Sequence, residues 1–218
     1  MSHDLKTDTE PTEPDAKGEQ ELAESDPVLT DQQWGLVLEA RVDYAEAVAP
    51  AYDEVFEVVA AQAVAVGSLG KADIAALVFW KRATTKTEWV IGLLATPEAD
   101  VRAVTARALT LVNDPALSTA EAADQAREVL ADLPGLDKGD ALISAVLAAA
   151  APARMANFSR QTQAGLKKVG ISVGTGEAVY RRYMESVDSI VALARTHGHP
   201  WTSGDVAVAL HQLGRTKK

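Results

Sequence analysis

The chain has 218 residues, 31 acidic against 21 basic, a net charge of −10, 47% hydrophobic residues and no cysteine. That length suits one ordinary domain or two small ones, with enough apolar residues to bury a core. The absence of cysteine excludes disulfides, thiolate zinc sites, Cys-ligated iron–sulfur clusters and a cysteine nucleophile, and it fits a cytoplasmic protein. The longest runs free of Asp, Glu, Lys and Arg, Val58–Gly70 and Ala141–Ala153, are 13 residues each. A membrane-spanning helix needs about 20, so no membrane partner is expected. The N-terminus has no apolar core for a signal peptide. An isoelectric point of 4.9 argues, taken alone, against a nucleic-acid partner.

In chain order, residues 1–26 hold nine acids and two bases. They carry too few apolar side chains to offset chain entropy, so 1–27 is read as a disordered acidic tail. Such a tail either solubilises the protein or docks a basic protein partner. The helical domain is placed at 28–218. Its charge is uneven: residues 27–70 sum to −6, 71–96 to +2, 97–151 to −5 and 152–218 to +6. The basic C-terminal third points to an anionic partner.

Abundant alanine and scarce β-branched alternation predict an all-α fold. Thr30 with Gln33 opens a first helix carrying Trp34, Val37, Leu38 and Val42. Pro50 breaks it, and Tyr52–Val66 continues as an apolar helix up to the turn at Gly67–Gly70. Helices are then expected at Asp73–Ala83, at Thr87–Ala95, and at Glu98–Val112 behind Pro97. Another is expected from Ser118/Thr119 with Glu121 to about Leu133, and a further one at Ala141–Ala150. The last two are placed at Glu177–Thr196 and Ser203–Leu213, the latter capped by Ser203 or Asp205.

The informative turn is Leu133-Pro134-Gly135-Leu136-Asp137-Lys138-Gly139-Asp140. Glycines at 135 and 139 permit a tight reversal and present successive N–H groups at a helix N-terminus. That geometry can receive a phosphate, and equally it can be a plain turn.

The stretch resembles the hairpin of the helix-hairpin-helix DNA-glycosylase superfamily, where Leu-Pro-Gly-Val-Gly precedes a small-residue helix. Further pieces follow in order. They are Asp73 to Trp80-Lys81-Arg82, Asp100 to Ala108, the hairpin and small-residue helix from Leu133 to Arg154, Tyr180 with Tyr183, and Asp205 to Leu210. Together, from Asp73 to Arg215, they are similar to bacterial 8-oxoguanine-glycosylase-fold proteins of unsettled function. The resemblance implies a glycosylase-like helical domain whose hairpin amides grip a DNA phosphate. DNA-backbone contacts would fall on Gly135, Lys138, Gly139, Arg154, Arg160, Lys167, Lys168, Arg181 and Arg182.

Glycosylase chemistry stabilises an oxocarbenium-like sugar with an Asp carboxylate, and bifunctional members add a Lys amine that forms a Schiff base. The family Asp position holds Ser159 here. The second hairpin glycine is replaced by Asp137, and the family Lys position holds Gly139, with Lys138 one residue early. A one-residue shift at a helix start turns a side chain by about 100°. Ordinary glycosylase activity is therefore not expected. Asp137 and Asp140 would also repel a phosphate unless compensated, although Asp140 reads well as the cap of the next helix and Asp137 as the end of the turn.

Trp80 is expected to pack in the core with Ile74 and Leu77, and Lys81 and Arg82 to reach a phosphate or face water. Tyr180 to Tyr183 reads as a helix face or a basic-aromatic strip. His197 and His199 lack a third ligand, so no metal and no cofactor are expected. Three functions remain. The first is a DNA-binding protein without ordinary glycosylase activity. The second is an active glycosylase or lyase with relocated catalytic residues, and the third a non-enzymatic protein-interaction module reusing the fold.

Overall fold

A computed structural model describes residues 29–48, 50–82, 87–176 and 178–215. The tail expected at 1–27 lies outside them. The described residues form ten α-helices and no strand: α1 (Asp31–Ala47), α2 (Glu54–Val66), α3 (Lys71–Trp80), α4 (Thr87–Ala95), α5 (Glu98–Asn113), α6 (Thr119–Leu130), α7 (Asp140–Ala150), α8 (Arg160–Lys168), α9 (Val179–Thr196) and α10 (Ser203–Arg215). A short 3₁₀ turn, Pro50–Tyr52, joins α1 to α2 where proline interrupts the helix. Among the described residues no helix is long and apolar enough to cross a membrane.

Helix α7 is the central rod. From Leu142 to Ala150 every residue is buried, and α2, α3, α5 and α6 pack around it. Its small side chains let those neighbours come close. A second group consists of α1 and α8 against α10, tied to the first through α9, which touches both α6 and α10. Helices α8 and α10 meet backbone to backbone. A Cβ at Gly165 would overlap the Leu210 carbonyl, and one at Gly214 the Gln161 carbonyl.

Local signals set most boundaries. The Gln33 N–H donates to Thr30 Oγ1 at 3.3 Å, and the Thr30 N–H to Gln33 Oε1 at 2.8 Å, closing a capping box. Ser118 and Glu121 do the same for α6. Three expectations are corrected. Helix α6 stops at Leu130 rather than Leu133, because the following i→i−3 turns fold Leu133 and Leu136 into the core. The α10 cap is Thr202, whose N–H donates to Asp205 Oδ2 at 3.0 Å while its hydroxyl accepts the Asp205 N–H. Helix α8 was not expected. Ser159 starts it by accepting the Thr162 N–H at 3.1 Å.

Candidate nucleic-acid interface and adjoining cavity

Two concavities lie on either side of the segment Ala156–Ser159. One is a groove of about 830 Å³ bordered by the hairpin, Trp89 and the start of α8; the other is a cavity of about 440 Å³ between α2, the end of α3 and α10. Ser159 lines both.

On the groove side the hairpin glycines have separate causes. Gly139 is the N-cap of α7 at φ +140°, a backbone angle that requires glycine. Gly135 sits at φ +88° with the Trp89 ring against it, so a Cβ there would overlap the indole. Asp140 is not the cap of α7, which corrects the expectation. It is the first helical residue, and its buried carboxylate accepts from Arg127 Nε at 2.5 Å. Asp137 Oδ1 accepts the Gly135 N–H at 3.2 Å, and its other oxygen pairs with Lys138. The lysine contact holds the Asp137 carboxyl below its ordinary range. The two acids feared as repulsive are thus each matched to a cation.

Arg160 and Gln163 border the groove, and Lys167 continues their face of α8 at i+7 from Arg160. Arg160 and Lys167 are exposed. The other basic candidates are engaged elsewhere. Arg154 donates to the carbonyls of Val112, Asp114 and Leu117, closing off the end of α5. Arg182 donates to Val173 O at 2.6 Å and Thr175 O at 2.9 Å. Arg181 pairs with Asp124 and Glu185, and Lys168 donates to Leu213 O at 2.8 Å. Of the nine expected contacts, the groove gathers Gly135, Lys138, Gly139 and Arg160.

On the cavity side, Trp80 packs against the core that holds Ile74 and Leu77, as expected, but at its rim. It is half-buried, beyond the fully buried Ile74 and Leu77, and it forms a wall with Phe56 and Tyr52 at centroid distances of 4.7 and 6.4 Å. Its indole N–H donates to Asp53 Oδ1 at 3.2 Å, and the Tyr44 hydroxyl donates to Asp53 Oδ2 at 3.2 Å. Burial, reinforced by the Asp53 carboxylate, pushes the Tyr44 phenol well up. A carboxylate other than one at position 159 therefore faces this cleft. Opposite it stands His211, driven below its ordinary value by burial and by Arg215, Arg82 and Lys81, against a counter-pull from Asp53. That balance favours the neutral form of its imidazole.

Lys81, half-buried at the cavity wall, turns its amine toward the protein rather than outward. Its amine donates to Ala141 O, to Asn157 Oδ1 and, at 2.9 Å, to Phe158 O. Burial pulls it down to about 7. The next residue, Arg82, turns left-handed at φ +50° and lays its guanidinium over the Tyr52 ring at 5.6 Å. Sequence reasoning missed this role, yet its signal was present. Lys81 continues the Ile74, Leu77 stripe at i+7 and i+4, on the face that enters the core. Asp53 had no comparable signal.

The dividing segment is held from below. The Tyr180 hydroxyl donates to Ala156 O at 3.1 Å and the Tyr183 hydroxyl to Asn157 O at 3.0 Å, so the tyrosine pair is a buried support. His197 stacks on Trp34 at 5.2 Å, and His199 lies tilted against it at 5.9 Å. Comparison of the chain with protein-family models, curated proteins and solved structures finds no match in any of the three.

Proposed function

We propose that this chain is a nucleic-acid-binding protein of the helix-hairpin-helix, DNA-glycosylase-like type that lacks ordinary glycosylase activity. The backbone would lie along the hairpin and the Arg160, Gln163, Lys167 face of α8, with the aromatic cavity beside it for an unstacked base. The observation that carries the reading is the adjacency itself. A glycine hairpin at a helix N-terminus and a cavity lined by Tyr44, Tyr52, Phe56 and Trp80 share one lining residue, Ser159. Against glycosylase chemistry, Ser159 brings no charge and acts as the α8 cap. Lys81 is no substitute nucleophile. Its amine is committed to three oxygens of the fold and would have to break those bonds before it could attack a sugar carbon.

A second reading, an enzyme with relocated groups, is favoured by Asp53, whose carboxylate borders the cavity opposite a neutral imidazole.

Fluorescence anisotropy with labelled single strands and duplexes across a salt series tests the proposal. Binding should weaken with salt, and Arg160→Ala should lower the log–log slope by about 0.7 to 0.9, one phosphate contact. No binding at the lowest salt refutes it. Release of a base from a damaged-base panel, abolished by Asp53→Asn, would select the second reading instead.

A further inference from the structure

We infer that Lys81 is the positioning residue that holds the hairpin helix in register with the segment dividing the cavity from the groove. The inference rests on the nucleic-acid reading for its consequence in binding, but not for its geometry.

The geometry is a convergence of three chain segments on one nitrogen. Ala141 belongs to the first turn of α7, directly after the hairpin. Asn157 borders the cavity, and Phe158 borders the groove. Lys81 comes from the end of α3, 60 to 77 residues away in sequence. An ammonium supplies three donors and no acceptor, so it matches three oxygens meeting at a point. A hydroxyl or a side-chain amide, with one or two donors, would leave an oxygen unmatched. Because the ammonium can only donate, it also fixes the orientation of the Asn157 amide, with Oδ1 inward. Ser144, wholly buried on α7, closes the arrangement. Its hydroxyl accepts the Phe158 N–H at 2.9 Å and lies 3.0 Å from Ala141 O and 3.4 Å from Asn157 Oδ1.

Lys81 has no ion pair among the described residues, so its partners are neutral oxygens and its task is geometric. Lys81 itself keeps helical backbone angles, φ −71° and ψ −11°, so its side chain follows the Ile74 and Leu77 stripe inward, and the left-handed turn comes only at Arg82. Shifting the Ala141 carbonyl relative to Phe158 would move the N–H groups of Gly139 and Asp140 relative to Arg160, on the opposite bank of the groove.

The test is Lys81→Met, which keeps the aliphatic stem and removes the donors. Two readouts are taken on the full chain. Hydrogen exchange should accelerate about tenfold at residues 139–145 and 156–160, with the rest of the chain unchanged. Affinity for a labelled single strand should fall about tenfold, with the salt slope preserved, because no phosphate contact is lost. A slope lowered by about 0.7 would mean that Lys81 touches the phosphate itself and would overturn a positioning role. Unchanged local exchange would overturn it as well. Should Lys81→Met fail to fold, Asn157→Ala carries the same test, since it keeps the ammonium and both backbone partners. Absence of nucleic-acid binding in the unaltered protein, with local exchange still accelerated in the variant, would refute the proposed function and leave the positioning role standing.

Discussion

On the cavity side of Ser159, polar groups are matched inside the protein by fixed partners: Lys81 by three oxygens, Asp53 by a phenol and an indole, the dividing segment by two buried tyrosines. On the groove side the outer pair, Asp137 with Lys138, is exposed, while beneath it the buried Asp140 is held by Arg127. The difference is one of solvent. Removed from water, each donor needs its own acceptor, and the arrangement becomes rigid. At the surface an ion pair is worth little and can exchange its partner for a ligand anion at small cost. The cavity side is therefore fixed by its own contacts, while the exposed Asp137–Lys138 pair on the groove side is free to trade them.

This contrast can be broken or sharpened by substitution, and the largest effect is expected where α8 crosses α10. Gly165→Ala forces a Cβ into the Leu210 carbonyl and should destabilise by about 3 kcal/mol in urea unfolding. A change below about 1 kcal/mol would show that the α8–α10 crossing yields easily, and the rigid side of the comparison would be lost.

Next in size is Arg127→Ala, which strands the buried Asp140 carboxylate and should cost about 2 to 3 kcal/mol, less than a wholly buried pair because Arg127 keeps some solvent. Adding Asp140→Asn should recover part of the loss. If the double variant is as unstable as the single one, the pair is not what holds the start of α7.

A different kind of effect, one that depends on pH, is assigned to Lys81. The unfolded chain keeps its proton up to the ordinary 10.5, while the folded protein releases it at about 7. Between those values the unfolded state binds more protons, so stability rises with pH. Urea unfolding at pH 6.5 and 9.5 should show this rise in the unaltered protein and lose it in Lys81→Met. An equal rise in both would assign it to other groups.

The smallest effect is at Lys138→Ala. Its pair with Asp137 is exposed, and unfolding should change by less than about 0.5 kcal/mol. A larger loss would place the hairpin among the rigid elements.

How much was legible beforehand follows from the range of each interaction. The boundary at Thr30 and the α6 start at Ser118 are made by contacts three residues apart, so the sequence displays them directly. Helix α8 escaped notice although Ser159 and Thr162 form the same kind of local box, because its interior is short and polar with no apolar stripe beyond Leu166. The basic excess after residue 151 was real as a count. It overstated the charge on offer, since Arg154 and Arg182 serve carbonyls of their own fold.

The opening figure, a net charge of −10 with no cysteine in 218 residues, bounded the chemistry and separated an acidic N-terminal stretch from a basic C-terminal third. With helical periodicity and caps, the sequence by itself also determined an all-helical chain, the hairpin and most helix limits, because those depend on neighbours within a few residues. Only the tertiary structure decided which cations are available to a ligand, that Asp137 and Asp140 are each matched to one, and that Lys81 rather than Lys138 is the lysine at the centre. Each of the last three depends on what surrounds a charge in space: whether water, a carbonyl or an opposite charge lies within about 3 Å of it.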